Sequence, residues 1–240
     1  MTSFEGRSAL VTGASGGIGR HIAERLAGAG AVVALHYGSQ AEPAEELAAA
    51  LPHAAAFGAD MADPQAPDRL VDEVEAALGP VDVLVANHGR SGIARYDQVD
   101  AEAFDAMLAV NLRAPFLLAR RTLPGMIERE FGRVLFMSSV AGFTGGIVGP
   151  HYAASKAGLH GLTHYLARRA AGEGVTVNAL APALIENTRM LPGDPGALAT
   201  MIPVGRLGRP EEVADLALAI LRNGYMTNQV VSLDGGMYAR

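Results

Sequence analysis

The sequence predicts an α/β fold: a doubly wound parallel sheet of about seven strands with helices on both faces. Two observations carry this. Short β-branched or aliphatic runs alternate with alanine-rich, helix-length segments along all 240 residues. The first of these runs are continuously apolar rather than alternating, the pattern of parallel strands buried on both faces.

The strand segments in chain order are ALVTG (9–13), AVVALHY (31–37), AAAFGAD (54–60) and VDVLVAN (81–87). RVLFMSS (133–139), VTVNALA (175–181) and QVVSLD (229–234) complete the set. Helical segments fall at 17–29, 42–51, 66–78, 101–122, 151–172 and 210–222. Right-handed crossovers between such units place a ligand crevice at the carboxyl ends of the strands. No Pro/Ser-rich linker, internal repeat or low-complexity segment divides the chain, so residues 1–240 read as one domain. The Pro- and Gly-rich stretch 183–208 is the least regular and is a candidate lid over the crevice.

Composition narrows the function. Half the residues are hydrophobic, enough for a sizeable core. Net charge is −6 and no basic block occurs, which argues against nucleic acid. The absence of cysteine removes thiol catalysis, disulfides and thiolate metal sites. The N-terminal MTSFEGRSALVTG lacks the charged-then-apolar order of a signal peptide, and no apolar run reaches the length of a membrane span. A cytoplasmic protein is the expectation. His160 and His164 stand four apart on one helical segment without a third ligand, so no metal is expected.

The first strand runs directly into TGASGGIG (12–19). Glycine at 13, 17 and 19 lets backbone approach a pyrophosphate, and the following helix offers free N–H groups and a positive dipole end. Ser15 and Ile18 belong to the same turn.

This T-G-x-x-x-G-x-G spacing resembles the short-chain dehydrogenase/reductase family, whose fold is of Rossmann type. The resemblance continues through the chain. It takes in FGADMAD, ANHG with His88 where alanine is usual, AVNLRAPF, LFMSSVAG, YAASK and VTVNALAPALIENT. It ends in VGRLGRPEEVA and VVSLDGGMY. It implies a catalytic set of Asn111, Ser139, Tyr152 and Lys156. It also implies nicotinamide-dinucleotide contacts at Asp60 and Met61 beside the adenine and at Asn87, His88 and Gly89. Near the nicotinamide it implies Pro182 and Ile185, with Asn187 or Thr188 at the amide. His36 ends the second strand where NAD-using members carry a carboxylate. With no carboxylate to repel a 2′-phosphate, and with His36, Tyr37 and Ser39 in that turn, NADP(H) is the expected cofactor and NAD(H) the alternative.

The chemistry of the set follows from spacing. Tyr152 and Lys156 are i and i+4 on a helix, so they share a face, with Cβ atoms about 5–6 Å apart. A tyrosine with a pKa of about 10 needs help to exchange protons near neutrality. A neighbouring ammonium and an oxidised nicotinamide are expected to lower it. Tyr152 then protonates the substrate oxygen as hydride reaches the carbonyl carbon, and Ser139 steadies the developing oxyanion. The resemblance gives Lys156, the only lysine in the chain, the nicotinamide ribose hydroxyls as well. It makes Asn111 the anchor of a proton-supplying water chain. His88 and His151 are expected to shape the substrate pocket.

Within the family, YAASKAGL, VTVNALAP, PVGRLGRPEEVA and DGGMY resemble the 3-oxoacyl-acyl-carrier-protein reductases. That implies reduction of a 3-oxoacyl thioester, a step of fatty-acid or polyketide synthesis, by a homotetramer. Glu128, Glu130 and Glu173 stand where an acidic carrier would meet basic residues. Arg129, Arg133, Arg168 and Arg169 compensate if they share one face. A small alcohol, sugar or polyketide ketone is the alternative substrate, and a non-catalytic dinucleotide-binding regulator the third reading.

Overall fold

A computed structural model describes residues 3–188, 191 and 193–238. Seven strands form one sheet: β1 (Ser8–Thr12), β2 (Val32–Tyr37), β3 (Ala54–Gly58), β4 (Val81–Ala86), β5 (Gly132–Met137), β6 (Val175–Pro182) and β7 (Val230–Leu233). All neighbours are parallel, in the order β3-β2-β1-β4-β5-β6-β7. After β3 the chain returns to add β4 on the other side of β1, so the order reverses between β1 and β4. That switch opens a crevice at their carboxyl ends.

The helices are α1 (Gly17–Ala27), α2 (Ala41–Ala50), α3 (Ala66–Leu78), α4 (Ala101–Leu108), α5 (Ala114–Glu128), α6 (Ala141–Thr144), α7 (Pro150–Ala170), α8 (Pro195–Ala199) and α9 (Pro210–Arg222). Successive strand residues serve opposite layers. Leu10, Leu84, Val134 and Phe136 join Leu70, Leu118 and Leu159 of α3, α5 and α7. Val11, Val85, Leu135 and Met137 join Ile22, Leu26 and Val213 of α1 and α9. Two apolar layers on one sheet explain why the strands read as unbroken apolar runs.

The helix expected over 101–122 differs in both extent and register. It runs on to Glu128 and is interrupted by a π-helical turn at Ala109–Arg113. There the Ala114 N–H donates to the Ala109 carbonyl, one residue farther back than in an α-helix. Pro115 is the physical reason. It has no N–H to continue the α pattern, and its ring crowds the carbonyl four residues earlier, that of Asn111. The stretch 183–208 carries α8 and a small apolar cluster of Leu198, Ile202 and Leu207, backed by Leu184 and Leu191. Residues 189, 190 and 192 of it lie outside the described residues.

The edge of the sheet opposite the crevice is closed by charge. Asp82, 5 % exposed, accepts from Arg7 Nη1 at 3.4 Å and Arg129 Nε at 3.1 Å. Arg7 and Arg133 sandwich the Phe131 ring at 4.0 and 4.5 Å. Arg133 is buried and donates to the carbonyls of Leu221, Gly132 and Gly174. This corrects the expectation of a shared basic face. Arg133 is committed inside the fold and the half-buried Arg129 is held by Asp82, so of the four arginines only Arg168 and Arg169 are exposed.

Asp82→Ala leaves two guanidiniums facing each other without their carboxylate. We expect a loss of about 2 kcal/mol in urea unfolding, with turnover per folded molecule unchanged because Asp82 is remote from the crevice.

Candidate active site

The β1–α1 turn shows why glycine is needed, and the reason is partly internal. Gly13 has φ 67°, and a Cβ there would lie 2.9 Å from His88 Cα. A Cβ on Gly19 would overlap the Gly13 carbonyl oxygen and come within 2.6 Å of Asn87 Nδ2. One on Gly17 would stand 2.9 Å from the Asn187 carbonyl oxygen. Gly13 and Gly19 thus let the turn pack on the β4 loop, and Gly17 lets the 183–208 stretch come close. Gly16 is the N-cap of α1 and supplies no side-chain cap. The first-turn N–H groups therefore face the cleft, a ready anion site.

The cleft encloses about 850 Å³ at the carboxyl edge. It is walled by Gly13, Ser15, Gly17, Ile18 and Gly19, together with His36 and Ser39. Asp60 and Met61 follow β3, and Asn87, His88 and Gly89 follow β4. Pro182, Ile185, Asn187 and Thr188 close it from β6. A glycine cradle, an uncapped helix start and a lysine fit an elongated, phosphate-bearing cofactor such as a nicotinamide dinucleotide.

Tyr37 corrects the expectation. Its ring lies over Gly58, where a Cβ would come within 2.9 Å of it, and it does not line the cleft. His151 is also off the wall. It is 4 % exposed, and its Nδ1 has no hydrogen-bond partner.

Two histidines beside the glycine turn are neutral scaffold groups. The Gly13 N–H donates to His36 Nδ1 at 3.2 Å, so His36 Nε2 carries the proton that bonds the Ala59 carbonyl at 3.0 Å. Burial lowers its pKa. Both ring nitrogens are thereby occupied, and His36 braces the glycine turn instead of offering a donor to a phosphate. His88 bonds Thr12 Oγ1 at 2.7 Å and the Val110 carbonyl at 3.1 Å. Burial first, then the proximity of the His36 ring and the Lys156 ammonium, hold its pKa down at about 3.

The opposite wall comes from β5 and α7. Tyr152 and Lys156 sit one turn apart near the start of α7, as their spacing requires. Lys156 Nζ donates to the Met137 carbonyl at the end of β5, at 2.8 Å, which leaves two of its three protons for other acceptors. Burial brings its pKa down from 10.5 to about 8. Tyr152 is 7 % exposed and joined by a side-chain hydrogen bond to Ser139. Burial raises its pKa, and the Ser139 bond acts the other way. The ammonium, with Nζ 5.7 Å from the ring centroid and held by Met137, does not outweigh that burial in the nucleotide-free protein. The phenol therefore carries its proton at neutral pH, the form that can be donated. Ser139 Oγ accepts the Ala141 N–H at 3.2 Å, which fixes the hydroxyl at the start of α6.

Asn111 lies in the π turn, fully buried behind the wall. Its Oδ1 accepts the Arg90 N–H at 2.8 Å, and its Nδ2 donates to the Arg90 carbonyl at 2.9 Å and to Ser155 Oγ at 3.2 Å. Two serines of this site are absent from the sequence reading. Ser155 donates to the Tyr152 carbonyl at 2.7 Å. Ser138 bonds the Lys156 carbonyl at 3.0 Å and His160 Nε2 at 2.8 Å. Their only sequence signal is adjacency to Lys156 and Ser139. His164 bonds Asn228 instead, at 2.7 Å, so the two histidines four apart serve different partners. The cleft is also lined by the apolar side chains of Ile147, Val148, Leu184, Leu191, Met201 and Met237.

Comparison with known proteins agrees with this geometry. The family model "short chain dehydrogenase" matches residues 7–194. The chain is 37% identical over 243 residues to an acetoacetyl-CoA reductase of Allochromatium vinosum, covering 97% of this chain and 98% of that one. It is 36% identical over 243 residues to the 3-oxoacyl-[acyl-carrier-protein] reductase FabG of Escherichia coli, covering 98% and 99%. A solved structure of a doubly substituted mutant of a Serratia marcescens short-chain dehydrogenase/reductase superposes with a TM-score of 0.90 at 32% identity, covering 99% of this chain and all of that one. With its parallel sheet, glycine turn and Ser139–Tyr152–Lys156 wall, the chain belongs to the short-chain dehydrogenase/reductase family of oxidoreductases.

Proposed function

We propose that the protein is an NADPH-dependent ketoreductase acting on 3-oxoacyl thioesters. The observation that carries this is the lining of the cleft. A polar Ser139–Tyr152–Lys156 wall, a helix start without a side-chain cap and apolar lining suited to an acyl chain meet in it. The two relatives named as acetoacetyl-CoA reductase and 3-oxoacyl-[acyl-carrier-protein] reductase support the same reading.

Ser15, Gly17, Ile18 and Gly19 would hold the pyrophosphate, and Ser39 with its turn the 2′-phosphate. Asp60 and Met61 would flank the adenine. Asn87 and Gly89, with Lys156, Pro182, Ile185 and Asn187 or Thr188, would hold the nicotinamide half. Bound there, a reduced nicotinamide supplies the hydride that converts the carbonyl carbon to a carbinol. Tyr152 gives its phenolic proton to the carbonyl oxygen. Ser139 donates a hydrogen bond to that oxygen as charge develops. Lys156 places a positive charge behind the tyrosine as it becomes phenolate, where it is most needed. Asn111 holds the Arg90 loop and the π turn at fixed distance, so the proton path behind Lys156 keeps its geometry. We place the enzyme in the cytoplasm and propose that it is a homotetramer; Phe116 on α5 and Tyr165 on α7, large side chains left 38% and 59% exposed, support the oligomer.

Steady-state assays with acetoacetyl-CoA, an acetoacetyl carrier protein and small ketones, each with NADPH and NADH, test the reading. Thioesters should win over small ketones, with kcat/KM at least about tenfold higher for NADPH than for NADH. Turnover confined to small alcohols or ketones would sink it. Tyr152→Phe should lower kcat by about a thousandfold while NADPH affinity stays within about twofold.

Lys156 also gives a pH signature in the nucleotide-free protein. Its folded pKa of about 8 lies below the ordinary 10.5. Between these values the unfolded chain holds a proton that the folded chain has released, so stability rises with pH there. Lys156→Met removes the rise. Urea unfolding should show the parent gaining up to about 3 kcal/mol on the variant between pH 7 and pH 10.

A further inference from the structure

The π turn leaves a backbone group to be accounted for. Ala114 gives its N–H to the Ala109 carbonyl, so it is not available to Val110, its ordinary α-helical acceptor. In the π register the donor to Val110 would be residue 115, and Pro115 has no N–H. The Val110 carbonyl therefore has no donor from its own helix. A carbonyl beside a largely buried cleft wall needs one.

His88 supplies it. Its Nε2 stands 3.1 Å from the Val110 oxygen. A carbonyl only accepts, so Nε2 carries the proton and Nδ1 of the neutral ring accepts. The Thr12 hydroxyl donates to Nδ1 at 2.7 Å and itself accepts the N–H groups of Asn87 at 3.0 Å and His88 at 3.2 Å. Two residues on, Arg90 N–H and C=O are clamped by Asn111. The loop after β4 thus grips the π turn at two adjacent points, one through His88 and Val110, the other through Arg90 and Asn111.

We infer that His88 is a positioning residue for the reaction: it locks the π turn that carries Asn111 to the β1 and β4 ends by capping the carbonyl that Pro115 leaves without a donor. Alanine, the residue usual at this place in the family's turn, has no group that reaches Val110. His88 thus makes a strut between the glycine-turn wall and the Asn111 turn. The inference rests on the proposed function only in using turnover as one of its two readouts.

His88→Ala and His88→Gln test it, because a glutamine amide offers a donor at nearly the reach of the imidazole Nε2. The first readout needs no activity. Amide hydrogen exchange over residues 108–114 should quicken about tenfold in the alanine variant and return toward the parent in the glutamine variant. The second is kinetic, on whichever ketone or alcohol the parent turns over. The alanine variant should lose about tenfold in kcat, with substrate KM and nucleotide Kd within about twofold, and glutamine should restore most of it. Unchanged exchange in the folded alanine variant would overturn the strut, whatever the enzyme's substrate. Unchanged kcat, a loss matched by weaker nucleotide binding, or no recovery with glutamine would overturn the positioning role.

Discussion

The Thr12 hydroxyl is the small hub on which the crevice depends. It is fully buried at the end of β1, where the strand order reverses. There the loop after β4 arrives with N–H groups that no neighbouring strand satisfies. One oxygen accepts two of them, and its own O–H donates to His88 Nδ1. Asn87 completes the join by donating to the carbonyls of Thr12 and Gly13. A sheet can split its order at this point only if such exposed backbone is paired. Here the pairing also joins the glycine turn to the loop after β4.

Burial then acts in opposite senses on the two proton-handling groups. It makes Tyr152 keep its proton and makes Lys156 less tenacious of its own. A phenol that stays protonated until an acceptor comes, beside an ammonium that is costly to bury without a negative partner, is a pair poised toward donation. The Met137 carbonyl is a modest partner for that ammonium, a dipole where a full charge would be better matched. Arginine would place a wide planar fork where a compact head with three donors now sits.

Much of this was legible in the sequence, and the limits have physical causes. The strands could be read because parallel burial removes polar residues from both faces of a short run. Tyr152 and Lys156 could be read because helical periodicity fixes their relation regardless of the rest of the fold. The π turn could not: Pro115 signals a disturbed helix but not which register replaces it. The roles of Ser138 and Ser155 were hidden because each depends on a partner 18 or more residues away. His36 looked like a phosphate contact by its place at the end of β2, yet the backbone of Gly13 and Ala59 claims both its nitrogens. Arg129 and Arg133 looked like surface charge, because no linear pattern foretells that a guanidinium will be folded beneath a sheet edge.

The crowding around Gly13 and Gly19 bears on how such motifs persist. Their missing side chains make room for His88 and Asn87, which are parts of the protein itself. A descendant that ceased to bind any nucleotide would still be held to glycine at both places by selection for a folded chain. Position 17 is different, since its nearest neighbour belongs to the irregular stretch after β6. In a lineage drifting away from catalysis, the first and last glycines would outlive the middle one, and the order of their loss would date the change of trade.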